Sequence, residues 1–298
     1  PALAQQAFST PLSKLALSFF LFYQLSAFLG LDALVSLYVA LMLSITSTTI
    51  FIKLAEYHGV RNKREIQTLL AMLIVEDVFA VFSIAFLSNL SSSNATTVGL
   101  LFSIARSLAI LGFAYLVFYQ LFKKLFSMLD FSTKDVQIFL ALAIGLGFSY
   151  LASVVGLAPS IGAFLAGSLV ASMPKGKLLE EAISPFVLAF SSIFFISMGM
   201  LADFTSIYSN LLVFMLLSLG TIVFHFASTA LATYFFGFSR QSAVFSGVAM
   251  ISAGEFSLLL AQEGAGVVNF DLIGLASAAV LSSALVNSVS CPETGNPL

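Results

Sequence analysis

The sequence predicts an all-α membrane protein: a polytopic helical bundle with inverted repeats and two discontinuous helices that cross. Three observations lead to this fold class. Of the 298 residues, 59% are hydrophobic and only 9% are charged, and the mean hydropathy is +1.06. Such a composition excludes a soluble domain. The apolar residues form long runs with short polar connections, and two of these runs are interrupted by polar residues near the middle.

Ten apolar segments follow one another along the chain, and nearly all are long enough to cross a bilayer as a helix. They cover residues 11–29, 33–56, 66–89, 98–122, 135–156, 159–173, 183–202, 207–235, 241–264 and 270–290. The sixth is short and contains Gly162 and Gly167, and small residues let helices pack closely in lipid. Residues 291–298 are predicted to form a short polar tail without chemistry.

The connections differ in charge according to the side of the membrane on which they would lie. Every second connection carries lysine or arginine, and the alternate ones carry neither. The basic residues are Arg61, Lys63, Arg64, Lys123, Lys124, Lys134, Lys175, Lys177 and Arg240. The positive-inside rule places these connections, and both ends of the sequence, in the cytoplasm. The expected location is therefore the cell (plasma or inner) membrane, with several crossings.

The third segment contains two adjacent acids, Glu76 and Asp77, near its middle. One carboxylate at the centre of a membrane helix costs about 2.5–3.5 kcal/mol, so such residues usually mark ion or proton paths. Neighbouring side chains on a helix point about 100° apart. We expect Asp77 to face a wet ion site, and Glu76 to face a neighbouring helix, a partner charge or the edge of that site. The alternative is that one or both stay protonated and hydrogen-bond across the bundle.

Polar residues interrupt the second and ninth segments. The second has hydroxyls at Ser44 and Thr46–Thr49, and the ninth has Ser252, Gly254 and Glu255 in mid-span. Hydroxyls can satisfy backbone groups that an interrupted helix frees, and two interrupted helices often mark a transporter's binding site. Ordinary helix packing would explain the hydroxyl run alone. Segments one to three and eight to ten each include one interrupted segment, which predicts an inverted repeat.

Two further residues are candidates for charge compensation. His225 lies well inside the eighth segment, and a histidine with a reference pKa of about 6.5 could donate a proton to Asp77 or act as its counter-ion. The alternative is a neutral histidine bonded to a helix neighbour. Arg106 is interpreted as the only strong base inside a helix, and we expect it to pair with Glu76 or Glu255.

Sequence signatures of other functions are missing. We find no phosphate-binding loop, no His–Cys metal spacing and no nucleophile–base pair. We therefore expect no enzyme activity, no cofactor and no nucleic-acid partner.

Five motifs resemble the second monovalent cation:proton antiporter family, which includes Kef-type potassium efflux systems and bacterial sodium/proton exchangers. They are SITSTTIFIKLAEYHG (44–59), LAMLIVEDVFAV (70–81), LAPSIGAFLAGSLVA (157–171), SIFFISMGMLADF (192–204) and SAGEFSLLLAQEGA (252–265). The resemblance implies a sodium/proton antiporter-like fold and exchange of Na⁺ or K⁺ for protons by alternating access. The only metal ion expected is this monovalent cation.

The resemblance also implies roles for particular residues. Asp77 would bind the ion and exchange the proton, with Glu76, Ser47 and Thr48 in the same site. The stretches 47–49 and 254–256 would be the crossing points of the two unwound helices. Two departures stand out. Glu76 occupies a position where members commonly carry Asn, Gln or Asp, and His225 falls where many carry a lysine that pairs with the aspartate.

The resemblance further predicts a domain organisation. Residues 1–290 would form the exchanger domain, with a moving core (11–90 and 207–290), a linker helix (98–122) and a dimer scaffold (135–202). A homodimer in the lipid bilayer is expected. The family has about three helices ahead of the first segment, so we expect an amino-terminal part to be missing. Two alternatives remain: a sodium-coupled organic-anion symporter of related fold, and a gated cation channel or non-transporting membrane subunit.

Overall fold

The computed structural model describes residues 2–57, 64–91, 133–155, 157–173, 175–201 and 203–290, with 105, 109, 112–113 and 115–120. Most of these residues are helical, and no β-strand occurs among them. The helices are α1 (Ala2–Phe28), α2 (Ala33–Leu43), α3 (Thr48–Tyr57), α4 (Arg64–Ser91), α5 (Lys134–Val154), α6 (Pro159–Ala171), α7 (Gly176–Met200), α8 (Phe204–Ser209), α9 (Leu211–Phe235), α10 (Arg240–Ala249), α11 (Glu255–Gly264) and α12 (Leu272–Ser290).

Six stretches of the described chain are long and apolar enough to cross a membrane. They are Ala33–Lys53, Thr68–Leu87, Lys134–Val154, Gly176–Ser197, Leu211–Phe235 and Leu272–Val289. The shorter apolar helix α6 corresponds to the sixth predicted segment. The predicted all-α polytopic membrane bundle is therefore confirmed. The count of ten crossings stays a prediction, and most of the fourth segment, 98–122, lies outside the described residues.

Both predicted discontinuous helices are confirmed. The second segment forms α2 and α3, with residues 44–47 between them, and the ninth forms α10 and α11, with residues 250–254 between them. The order of a long helix, two half-helices and a long helix occurs in α1–α4 and again in α9–α12. The inverted orientation of these two sets of four helices stays a prediction.

The first compact unit of the chain combines Pro1–Ala80 with Ser197–Leu298. Within it α1 packs on α2 and α9, and α9 packs on α10 and α12. Helix α11 packs on α2 and α12, which brings the two interrupted helices together. Asp32 caps α2, because its side chain accepts hydrogen bonds from the backbone N–H groups of Leu34 and Val35.

The second compact unit is Val81–Ile196. Its helices α5 and α6 pack closely because Gly162 lies directly on the backbone of Phe148, where any added Cβ would overlap the carbonyl group. The predicted role of small residues in packing is therefore confirmed for Gly162. For Gly167 it stays a prediction, since no atom of the described residues lies within 4 Å of an added Cβ there. The assignment of a moving core, a linker and a dimer scaffold stays a prediction.

Candidate functional site

The two helix breaks, which are residues 44–47 between α2 and α3 and residues 250–254 between α10 and α11, contact each other through their backbones. The N–H of Ser47 donates to the carbonyl of Ser252 over 2.7 Å. Asn287 of α12 supports the second break by donating to the Ser252 hydroxyl over 2.8 Å, and Ser283 accepts from the N–H of Ala253 over 3.1 Å. Unwound backbone at membrane depth requires such partners within the protein. The crossing is therefore a fixed feature of the first unit.

Asp77 lies on α4 beside this crossing and is half-buried. The hydroxyl of Thr48, the first residue of α3, lies 3.1 Å from Oδ1 and 3.2 Å from Oδ2, so it donates to one oxygen at a time. An aspartate with a part-exposed carboxylate and a neighbouring hydroxyl oxygen can hold either a proton or a small cation.

Glu255 is the first residue of α11, and it approaches the same break from the other interrupted helix. Thr49 donates to Oε1 over 2.7 Å and Ser47 donates to Oε2 over 3.3 Å. Three consecutive residues, 47–49, thus link the two carboxylates: Thr48 contacts Asp77, and its two neighbours contact Glu255.

Glu76 is fully buried and forms an ion pair with Lys14 of α1, which is also fully buried. Lys14 Nζ lies 2.8 Å from Oε2 of Glu76 and also donates to the carbonyl of Ser44 over 2.9 Å. The same Oε2 accepts from the backbone N–H of Thr46 over 3.0 Å and from its hydroxyl over 2.6 Å. The other oxygen, Oε1, is buried and has no hydrogen-bond partner among the described residues.

This ion pair matches the electrostatics of the first break. Ser44 follows the end of α2, where the helix dipole is negative, and it receives the ammonium group. Thr46 lies just ahead of α3, where the dipole is positive, and it donates to the carboxylate. The cation and the anion therefore each face the helix end of opposite sign.

His225 of α9 joins both breaks. One ring nitrogen, Nε2, lies 2.6 Å from the carbonyl oxygen of Leu43, and Nδ1 lies 2.9 Å from that of Ile251. A neutral imidazole has one N–H and can donate to only one of these carbonyls, whereas an imidazolium can donate to both. The described contacts of His225 do not include Asp77.

The whole chain matches a known family. Residues 2–294 match the family model described as "Sodium/hydrogen exchanger, transmembrane". The chain belongs to the sodium/hydrogen exchanger family. This confirms the resemblance seen in the five motifs. The half-buried Asp77 and the two interrupted helices beside it are thus found in a chain whose relatives include proteins named as antiporters.

Three relatives illustrate the range of this similarity. The chain is 30% identical over 235 residues to a Na(+)/H(+) antiporter of Enterococcus hirae, covering 77% of this chain and 61% of the relative. It is 26% identical over 288 residues to the ammonium/H(+) antiporter subunit AmhT of Alkalihalophilus pseudofirmus, covering 96% and 73%. It is 30% identical over 204 residues to the glutathione-regulated potassium-efflux system protein KefC of Escherichia fergusonii, covering 67% and 33%. The chain thus spans 61% of the length of the antiporter from Enterococcus hirae.

Lys14 is the site residue that sequence reasoning missed in this chain. The interpretation of Arg106 as the only strong base inside a helix is wrong, because Lys14 lies within α1 and is fully buried. Helix α1 begins at Ala2 rather than near residue 11, so Lys14 is far from the helix end, where a lysine can reach the water. Thr10, Lys14 and Ser18 recur every four residues and are all buried, and this spacing was the available signal.

The predicted partners of the acids change accordingly. Glu76 does face a partner charge, as one of the expectations had it, and that charge is Lys14. Arg106 lies outside the described residues, so its pairing with Glu76 or Glu255 stays a prediction. The roles of His225 as pH sensor or counter-ion, and of Glu76 and Ser47 as direct ion ligands, also stay predictions. Ser47 and Gly254 do meet at the crossing.

Gly254→Ala should destabilise this protein, because a methyl group there would overlap the side chain and Cα of Ser47. Overpacking of this kind costs about 1–3 kcal/mol. Thermal unfolding in detergent should therefore begin at a lower temperature than in the unaltered protein. Gly167→Ala is the matched control, since its added methyl group meets no atom of the described residues within 4 Å. Equal unfolding temperatures for the two variants would show that the breaks do not pack as described.

Proposed function

We propose that the chain exchanges a monovalent cation, Na⁺ or K⁺, for protons across the membrane, with Asp77 as the shared binding site. One observation carries this proposal: a half-buried aspartate lies beside the crossing of two interrupted helices and contacts a hydroxyl of one of them. The family membership supports it, and so do the names of relatives, which include antiporters and a potassium-efflux protein. Those names do not favour the organic-anion symporter or the channel.

The mechanism rests on competition at one carboxylate. Ionised Asp77 binds a cation, with the Thr48 oxygen as a further ligand, and protonated Asp77 does not. A tenfold rise in proton concentration shifts this competition by about 1.4 kcal/mol. When Asp77 is ionised and empty, the Thr48 hydroxyl stabilises it by donating a hydrogen bond. Alternating access then presents the loaded site to each side of the membrane in turn.

We also propose the wider setting of this exchange. The protein would lie in the cell membrane with its basic connections in the cytoplasm, as the charge distribution indicates. It would act as a homodimer, with residues 135–202 as the scaffold and a core of residues 11–90 and 207–290 moving against it. These assignments follow from the family resemblance.

The proposal is tested with purified protein in liposomes that contain a pH-sensitive dye and hold a preset pH gradient. Na⁺, K⁺ and Li⁺ are added in turn, with choline as the cation that should give no response. We expect at least one of the alkali cations to dissipate the gradient in a dose-dependent way. Absence of any response over a range of pH would contradict the proposed function.

A further inference from the structure

Three carboxylates surround the crossing, and each has a different electrostatic partner. Glu76 contacts a lysine, and Asp77 contacts one hydroxyl. Glu255 lies in the first turn of α11 and contacts two hydroxyls. The number of these groups that change protonation when a cation binds decides how many protons each cycle moves. The surroundings of the three groups therefore bear on the charge carried per cycle.

Glu76 is balanced by a permanent partner. Lys14 Nζ lies 2.8 Å from its Oε2, and neither side chain is exposed. The pair has zero net charge whether the shared proton sits on the amine or on the carboxylate. Three donor groups converge on Oε2, and a cation arriving through water does not reach a side chain with no exposed surface. The pair therefore contributes the same charge before and after cation binding.

Glu255 has two kinds of compensating partner in the protein. It opens α11, a helix of ten residues, and the partial positive charge at the start of a helix faces its carboxylate. Hydroxyls of Ser47 and Thr49 donate to its two oxygens.

Among the described residues, Asp77 has none of these compensations. It lies in the interior of α4, away from either end of that helix, and one hydroxyl is shared between its two oxygens. It is more exposed to solvent than Glu76, which is completely buried. His225, a further titratable side chain at the crossing, contacts main-chain carbonyls. Asp77 is thus the carboxylate whose charge is left to be balanced by the incoming ion.

We infer that Lys14 is a fixed internal counter-ion that withdraws Glu76 from exchange, so that each cycle exchanges one cation for one proton at Asp77. This inference rests on the proposed function. As a cation binds on one side, the Asp77 carboxyl releases its proton to the water there. On the other side the cation leaves and a proton binds. One positive charge moves in each direction, so the cycle carries no net charge.

The test measures proton movement and charge movement on the same proteoliposomes. The internal dye reports exchange after a cation jump, and recording on a solid-supported membrane reports sustained net charge movement. Valinomycin with a K⁺ jump confirms that the recording detects charge. The proteins compared are the unaltered chain, Glu255→Gln, and the charge-balanced double variant Lys14→Met with Glu76→Leu. We expect each of the three proteins that gives a dye signal to give it without sustained current.

The outcomes separate the inference from the function on which it rests. A dye signal without current in the unaltered chain supports the inference, and a dye signal with sustained current overturns it. A current that disappears in Glu255→Gln would identify Glu255 as a second exchanging group. A current that disappears in the double variant would identify Glu76. No dye signal with any cation would contradict the proposed exchange itself. The unaltered chain gives the decisive reading even where a variant fails to fold.

Discussion

Asp77→Asn is expected to abolish cation-driven proton movement while leaving a folded protein. Asparagine keeps the size of the side chain and can still accept a hydrogen bond from Thr48, but it can neither ionise nor hold a titratable proton. Removing the carboxylate therefore removes the group for which proton and cation compete. The dye assay should therefore show no response to any of the three alkali cations.

The matched control for this variant is Asp135→Asn. Asp135 is an exposed aspartate in the first turn of α5, and the same chemical change there should leave exchange intact. Both proteins should elute as single species on size-exclusion chromatography. Exchange at the normal rate by folded Asp77→Asn would disprove the assignment of the site.

The second large effect concerns the stability of the Lys14–Glu76 pair. Breaking a buried ion pair by removing one partner leaves an uncompensated charge and costs about 3–5 kcal/mol. Lys14→Met and Glu76→Leu should therefore each lower the thermal unfolding temperature sharply. The double variant replaces both charges with apolar groups, so it should recover much of the loss.

A double-mutant cycle measures this coupling. Unfolding temperatures of the four proteins in one detergent give the interaction term, which should be clearly non-additive because the two side chains are in direct contact. Lys134→Met, at the exposed start of α5, is the control for the loss of a lysine and should change stability by no more than about 0.5 kcal/mol. Strict additivity in the cycle would show that the ion pair does not form.

The sequence by itself determined the fold class and the place of the crossing. Long apolar runs in a chain with few charges require membrane helices, because a backbone in lipid must satisfy its own hydrogen bonds. The hydroxyls at 46–49 and the glycine and acid at 254–255 marked the two interruptions, because these residues weaken a regular helix locally. These are properties of short stretches, and they can be seen without knowing any neighbour. The cost of an acid at membrane depth marked Asp77 and Glu76 in the same way.

Only the tertiary structure decided which group compensates each acid. Lys14 and Glu76 are 62 residues apart, and their contact depends on how α1 is rotated against the first break. His225 was expected near Asp77 but meets the carbonyls of Leu43 and Ile251, because α9 faces the ends of the half-helices. The sequence shows that a charge within a membrane helix is costly, because this cost depends only on the residue type and its depth in the membrane. The partner that offsets the cost is set by the direction of side chains on separate helices, which exists only once those helices are packed.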